Sequence, residues 1–462
     1  MEEYKNNSSS KDILKKLNLN RLENSSFKNF DQTVKEMSPH KLVSNKRFDI
    51  VAKYIYAKFY EGNYKSKWGL KLYKNHLWAF NRYEEDDRSG KVGINKFINS
   101  FHKTLTSVRE DGFNDNISIL PVSSKGVPLD GAHRISAAIY HNKKVKVVNI
   151  GGHDPNYNYE FFKNKGLLNY WSDAIAYEFC KINKNIRIII QGGEINEFIL
   201  RRLKEYDCIY YEKTIKLTKN GTQNLVELLK LPDHKVKLTD GLLEIKIIFF
   251  DSTHLSNIFN NAQILKKEYP IGEELSYISQ NEEESFKLAQ ILLNDNSISF
   301  INFTSKKQVK ELKHIINLLR SERNYNEIES EDICVISNSV MQIFGLVDRR
   351  NNVDFINFNT KNNTKNKEIN LYEKKKDDII YNPKNHFYFD GVKFSTLDVV
   401  GEIKLKSMKF EDYFAIKRLS GWIPKVNFKV LRYEIFKSLE ICKLMIIRYK
   451  LSLIKFKRGL HE

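Results

Sequence analysis

The stretch Leu129-Asp130-Gly131-Ala132-His133-Arg134-Ile135-Ser136-Ala137-Ala138 decides how the N-terminal part of this chain is read. Before it stand a strand-like Ile117-Ser118-Ile119-Leu120-Pro121-Val122 and a Lys125-Gly126 turn. After it come a helix-like run from Ile135 to Tyr140 and a second strand from Lys144 to Ile150. Strand, tight turn and helix bring backbone N–H groups and the positive end of a helix dipole to one point, where an anion is favoured. Gly131 lets the backbone approach a ligand, Arg134 offers a forked contact to phosphate, and small Ser136, Ala137 and Ala138 let the helix pack close. The same residues also fit an ordinary strand-to-helix turn with an Asp cap and a surface Arg.

The run DGAHRISAAIYHNKKVKVV, with Ser107 to Phe113 before it, resembles the core of the ParB/sulfiredoxin-like superfamily over about residues 40–165. There a Gly-x-x-Arg turn after a strand holds nucleotide phosphates. The resemblance implies that Gly131, Ala132 and His133 supply N–H groups, Arg134 clamps the phosphate, and Asp130 caps the helix or orients Mg2+. ATP or CTP is the implied nucleotide. The superfamily spans CTP-hydrolysing DNA segregation proteins, ATP-using reductases and small-molecule kinases, so it implies nucleotide binding more firmly than one reaction. A general base is needed for phosphoryl transfer, and Glu85 is the candidate, against a solvated acidic turn over Glu84 to Asp87.

Composition bounds the rest. The chain has 462 residues, too many for one ordinary domain. Its 29 Phe and 24 Tyr, within 41% apolar residues, supply ample core material. Cys180, Cys208, Cys334 and Cys442 form no CxxC pair, which argues against a disulfide scaffold or zinc site. The opening MEEYKNNSSSKD carries no apolar core of a signal peptide, and no run of about 18 apolar residues exists to span a bilayer. A cytoplasmic location is therefore expected. The net charge of +19 invites anionic partners, although Lys-rich coding bias alone raises it.

The pattern predicts a mixed α/β (α+β) multidomain chain: a loose arm over 1–39, a domain over 40–165 that resembles the ParB/sulfiredoxin-like superfamily, an α/β middle domain over 166–303, a third folded region over 304–425 and a basic tail over 426–462. In the middle region, strands at Ile186 to Ile190, Cys208 to Leu217, Leu243 to Phe250 and Ile298 to Phe303 alternate with helices. Those helices are expected over Tyr170 to Ile182, Ile195 to Leu203, Leu255 to Lys267 and Glu284 to Leu293. The Gly192-Gly193-Glu194 turn lacks GxGxxG spacing and reads as an ordinary βα turn.

The region from Ile333 resembles a nucleotidyltransferase-like domain, in which Gly-Ser at a strand end opens a helix and a strand with Asp-x-Asp follows. The resemblance implies that Ser337 and Ser339 bind triphosphate and that Asp354 is catalytic. It also implies that Asp354, Asn352 and Asp390 hold Mg2+. Asn338-Ser339 stands for Gly-Ser and Asn352-Val353-Asp354 for Asp-x-Asp, and a neutral Asn weakens a Mg2+ site. Asp390, before Gly391, also fits a plain turn. The order of these domains resembles uncharacterised bacterial proteins of surface-polysaccharide loci.

Between Lys429 and Arg458 nine basic residues face two acidic ones, a net +7. Leu431, Ile435, Leu439, Cys442, Ile446, Tyr449 and Leu453 recur at helical spacing. Such a helix either lies on an anionic membrane or packs on its own domain. Three functions remain open at this point. The first is a nucleotide-dependent transferase moving a phosphoryl or nucleotidyl group to a small molecule or glycan precursor. The second is a non-catalytic scaffold with degenerate nucleotide folds. The third is a ParB-type DNA-associated regulator, which the lack of a helix-turn-helix after residue 165 disfavours; nucleic acid is thus not the expected partner.

Overall fold

The computed structural model describes residues 13, 16–17, 33–85, 91–114, 119–193, 197–229, 241–253, 275–322, 331–360, 366–420, 435–436 and 438–450. Two compact units divide the chain, Met1–Phe410 and Glu411–Glu462. The boundaries expected at 165 and 303 both fall inside the first unit. The physical reason is a continuous apolar core: Phe48 packs its ring 5.3 Å from Tyr210, far along the chain, and buried side chains link Leu42 through to Ile301.

The N-terminal sheet has the order β1-β3-β2, from Val34–Met37 (β1), Leu120–Val122 (β2) and Val145–Asn149 (β3). Strand β3 runs parallel to β2 and antiparallel to β1. Parallel strands require a crossover, and α4 (Ala132–Tyr140) supplies it. Before it come α1 (Phe48–Glu61), α2 (Trp68–Asn81) and α3 (Ile94–Asp111). The small residues of α4 let it lie close on α1: Ser136 Oγ donates to the Ile50 carbonyl at 2.8 Å, and Ala137 and Ala138 are fully buried.

The middle region holds α5 (Tyr159–Asn164), α6 (Asn169–Ile182), β4 (Ile186–Gly192), α7 (Glu197–Glu205), β5 (Ile209–Leu217), α8 (Lys219–Leu228), β6 (Leu243–Asp251), β7 (Ser276–Ile278), α9 (Glu282–Leu292) and α10 (Asp295–Phe303). Its sheet has the order β5-β6-β4-β7 and every pairing is antiparallel. Alternating strands and helices usually form parallel sheets, so this part is α+β. The strand expected over Ile298 to Phe303 is a helix. Asn294 caps it, its side chain accepting from the Ser297 amide at 2.9 Å, and a six-residue apolar run carries no period that separates strand from helix.

The third region contains α11 (Lys306–Ser321), β8 (Ile333–Val335), α12 (Ser337–Ile343), β9 (Phe355–Asn357), α13 (Lys367–Tyr381), β10 (His386–Phe389), β11 (Val392–Ser395), α14 (Leu397–Lys406) and α15 (Phe410–Ser420). Its sheet order is β10-β11-β8-β9, with β11 parallel to β8 and the other pairs antiparallel. Residues 438–450 are helical. Among the described residues no helix is long and apolar enough to cross a membrane. The helix expected at Leu255 to Lys267, Glu194, Asp86 and Asp87, and most of the short helix near Asp12 to Leu19 lie outside the described residues.

Candidate functional site

The turn that opens α4 is built as a tight wrap around one leucine. A hairpin-like loop returns from β2, with the Ser123 amide donating to the Val127 carbonyl and the Leu129 amide to the Pro121 carbonyl, both at 2.9 Å. The chain then enters α4 through Gly131 at φ 87°, ψ 20°, a left-handed conformation that favours glycine. A Cβ there would overlap the Leu120 side chain and stand 3.0 Å from Arg134 Nη2. The glycine thus admits Leu120 from below and the Arg134 guanidinium from beside.

Arg134 folds over its own turn, with Nη2 3.5 Å from Asp130 Oδ2. Asp130 is nearly buried, and its charge also reaches Arg47. The cap position is Gly131 itself, so no side chain caps the helix. No described residue accepts from the amides of Gly131, Ala132 or His133, which leaves the donors that first turns offer to anions. The His133 side chain turns inward: Nε2 lies 2.8 Å from the Tyr73 hydroxyl, and the ring centroid lies 4.5 Å from that of Phe101. Burial, aided by the charge on Lys53, pulls its pKa well below the ordinary value and keeps the ring neutral. A neutral His133 ring brings no positive charge to an anion, and its backbone N–H is the donor on the turn.

Under this turn lies an ion cluster that the sequence pattern did not announce. Asp49 accepts from Arg47 Nε at 2.9 Å and Nη2 at 3.0 Å, and from Lys53 Nζ at 2.7 Å. All three residues are buried. Arg47 also donates through Nη1 to the Pro128 carbonyl, which ties the start of α1 to the residues before Asp130. The signal was available as Arg47-x-Asp49 followed by Lys53 inside an apolar helical pattern. Glu85 stands near the same interior: it pairs with Lys91 at 3.1 Å, its charge reaches Lys53 and Tyr73, and that of Lys91 reaches His133.

The residues expected to bind triphosphate in the third region are engaged with their neighbours. Ser337 holds φ 56°, so the left-handed position falls one residue before the Asn338-Ser339 pair. Its hydroxyl donates to Glu368, which also meets Lys404 Nζ at 3.2 Å and Lys409 Nζ at 2.7 Å. Burial would raise the Glu368 carboxyl, but these donors hold it below its ordinary value. Lys404 Nζ also donates to Asn338 Oδ1 at 2.7 Å. Ser339 Oγ accepts from the Asp354 amide at 2.8 Å, and the Asp354 carboxylate pairs with Arg350 at 2.8 Å.

The Mg2+ set does not converge. Asp354 precedes β9, beside the end of β8 at Val335. Asp390 sits in the β10–β11 turn, at the end where the parallel strand β11 begins, so it lies at the opposite edge of the sheet. It pairs instead with Arg320 at 3.4 Å. Asn352 lies in the exposed bend before Asp354. Among the described residues no group of three His, Cys, Asp or Glu side chains is placed to hold a metal ion. The candidates Asp354, Asn352 and Asp390 therefore do not form one cation site. No protein-family model, curated protein or solved structure matches the chain.

Proposed function

We propose that the chain is a nucleotide-dependent transferase whose Asp130 to Arg134 turn holds the phosphates of ATP or CTP. The supporting observation is the turn itself. A left-handed Gly131 opens α4, the first amides of that helix have no acceptor among the described residues, and Arg134 lies folded over them. Helix dipole, amides and guanidinium then act together on one anion. Glu85, facing the same interior, is the candidate base that takes a proton from the acceptor hydroxyl of a small molecule or surface-glycan precursor. No step runs through Mg2+, whose expected ligands in the third region do not meet.

A second reading, a non-catalytic role for the nucleotidyltransferase-like region, is favoured by the Arg350–Asp354 ion pair and the distant Asp390. We place the protein in the cytoplasm with a peripheral membrane contact through 429–458. Calorimetric titration of the intact chain, Arg134→Ala and Asp354→Ala with ATP and with CTP tests the proposal. Loss of binding in Arg134→Ala alone is expected. Binding unchanged in that variant overturns the assignment.

A further inference from the structure

A cavity of about 50 Å³ lies where α1, α6, α9, α13 and the β10–β11 hairpin come together. That is room for roughly three or four water molecules and too little for a nucleotide. Among the described residues five ions line it: Lys58, Lys181, Lys393, Glu178 and Glu331. Lys58 takes Glu178 at 3.2 Å. Lys181 and Lys393 share Glu331, each at 3.4 Å. Three ammonium groups thus face two carboxylates, and a surplus charge in such a place is costly unless something neutralises it.

Two neutral groups sharpen the picture. Gln290, 2% exposed, donates Nε2 to Glu331 at 2.9 Å and leaves its buried Oε1 with no partner among the described residues. Burial pulls the pKa of His386 down to about 3, so the ring is neutral. Its Nδ1 donates to the Ile379 carbonyl at 2.9 Å, which makes Nε2 an acceptor. Water can satisfy Gln290 and reaches the partly exposed Lys58 and Lys181, but Lys393 is buried and shares its carboxylate with a second ammonium. Burial and the neighbouring lysines also pull the Lys393 ammonium below its ordinary value, against the pull of Glu331.

We propose that this cavity binds a small oxyanion that keeps an O–H donor, of the size of hydrogen phosphate or smaller. Its negative oxygens meet the shared side of Lys181 and Lys393, and its hydroxyl meets Gln290 Oε1. This site is separate from the Arg134 turn and does not rest on the transferase reading.

The probe is inorganic phosphate, read as thermal protection of the full chain against sodium chloride of equal ionic strength. At about ten times its dissociation constant, phosphate favours the folded state about elevenfold. The decisive background is Arg134→Ala, which removes the other anion candidate. Protection must persist there, disappear when Lys181→Met or Lys393→Met is added, survive Lys181→Arg and weaken in Gln290→Leu. Circular dichroism confirms that each variant folds; if the methionine variants unfold, the Arg and Leu pair decides. Protection absent from the wild type, lost in Arg134→Ala alone, or indifferent to these lysine and glutamine changes overturns the proposal.

Discussion

The Leu120 side chain fills the space that a Cβ on Gly131 would need. Strand β2 and the first residue of the phosphate-binding candidate are therefore fitted to each other. Gly131→Ala meets two penalties, a left-handed conformation costing about 1–2 kcal/mol and an overlap with buried Leu120 costing about 1–3 kcal/mol. Urea denaturation should show a loss of about 2–5 kcal/mol, the combination of those terms. Adding Leu120→Ala should relieve the overlap but not the backbone penalty, so the double mutant should be less destabilised than the two single losses together. Strict additivity would mean that the two residues do not share that space.

Ser339 and Asp354 provide a test of the third region. The Ser339 hydroxyl is the acceptor for the Asp354 amide. Ser339→Ala leaves that amide unpaired, at a cost of about 1–3 kcal/mol. Chemical denaturation should register the loss, while calorimetry should find nucleotide affinity unchanged. A fall in affinity without a fall in stability would make Ser339 a ligand-binding residue and remove its purely structural role.

The Asp49 cluster links stability to pH. Burial alone would raise the Asp49 carboxyl, but Arg47 and Lys53 together hold it far below its ordinary value of 3.8. A carboxylate depressed in the folded state contributes stability that is complete above its unfolded pKa and is lost as pH falls below it. Stability should therefore decline on the acid side of pH 3.8, and Asp49→Asn should flatten that decline. At neutral pH the same substitution strands two buried cations and should cost about 3–5 kcal/mol. An acid limb as steep in Asp49→Asn as in the wild type would remove Asp49 from this role.

Part of this was legible in the sequence, and the limits have physical causes. The β2–α4–β3 unit could be read because Gly131 and the small residues after it mark a turn and a close-packed helix. The antiparallel order of the middle sheet could not, since strands there alternate with helices, as in parallel folds. The expected boundary at 165 is crossed by one apolar core, to which Phe48 and Tyr210 both belong, and sequence distance gives no sign of that. Asp354 and Asp390 looked like partners because sequence spacing says nothing about which edge of a sheet each residue reaches. The Asp49 cluster was hidden because charged residues in a helix usually face water, and these face one another.

The helix over 438–450 sets the last prediction. Phe436, Leu439, Met445, Ile446 and Tyr449 are each more than half exposed. An apolar face of that size normally meets something. Leu439, Cys442, Ile446 and Tyr449 follow helical spacing along one side, with Lys443 and Lys450 at its edge and Arg448 on the far side. A second copy of the chain would bring two +7 segments together, whereas an anionic bilayer accepts both the charge and the apolar face. Phosphatidylserine-containing vesicles should therefore sediment the protein at low salt, pure phosphatidylcholine vesicles much less, and added salt should release it. Replacing Leu439 and Ile446 by Glu should abolish retention, because burying each apolar side chain is worth about 1.5–3 kcal/mol. Equal retention on both vesicle types, or retention unmoved by those substitutions, would take the membrane away as the partner and leave a protein surface as the cover for this face.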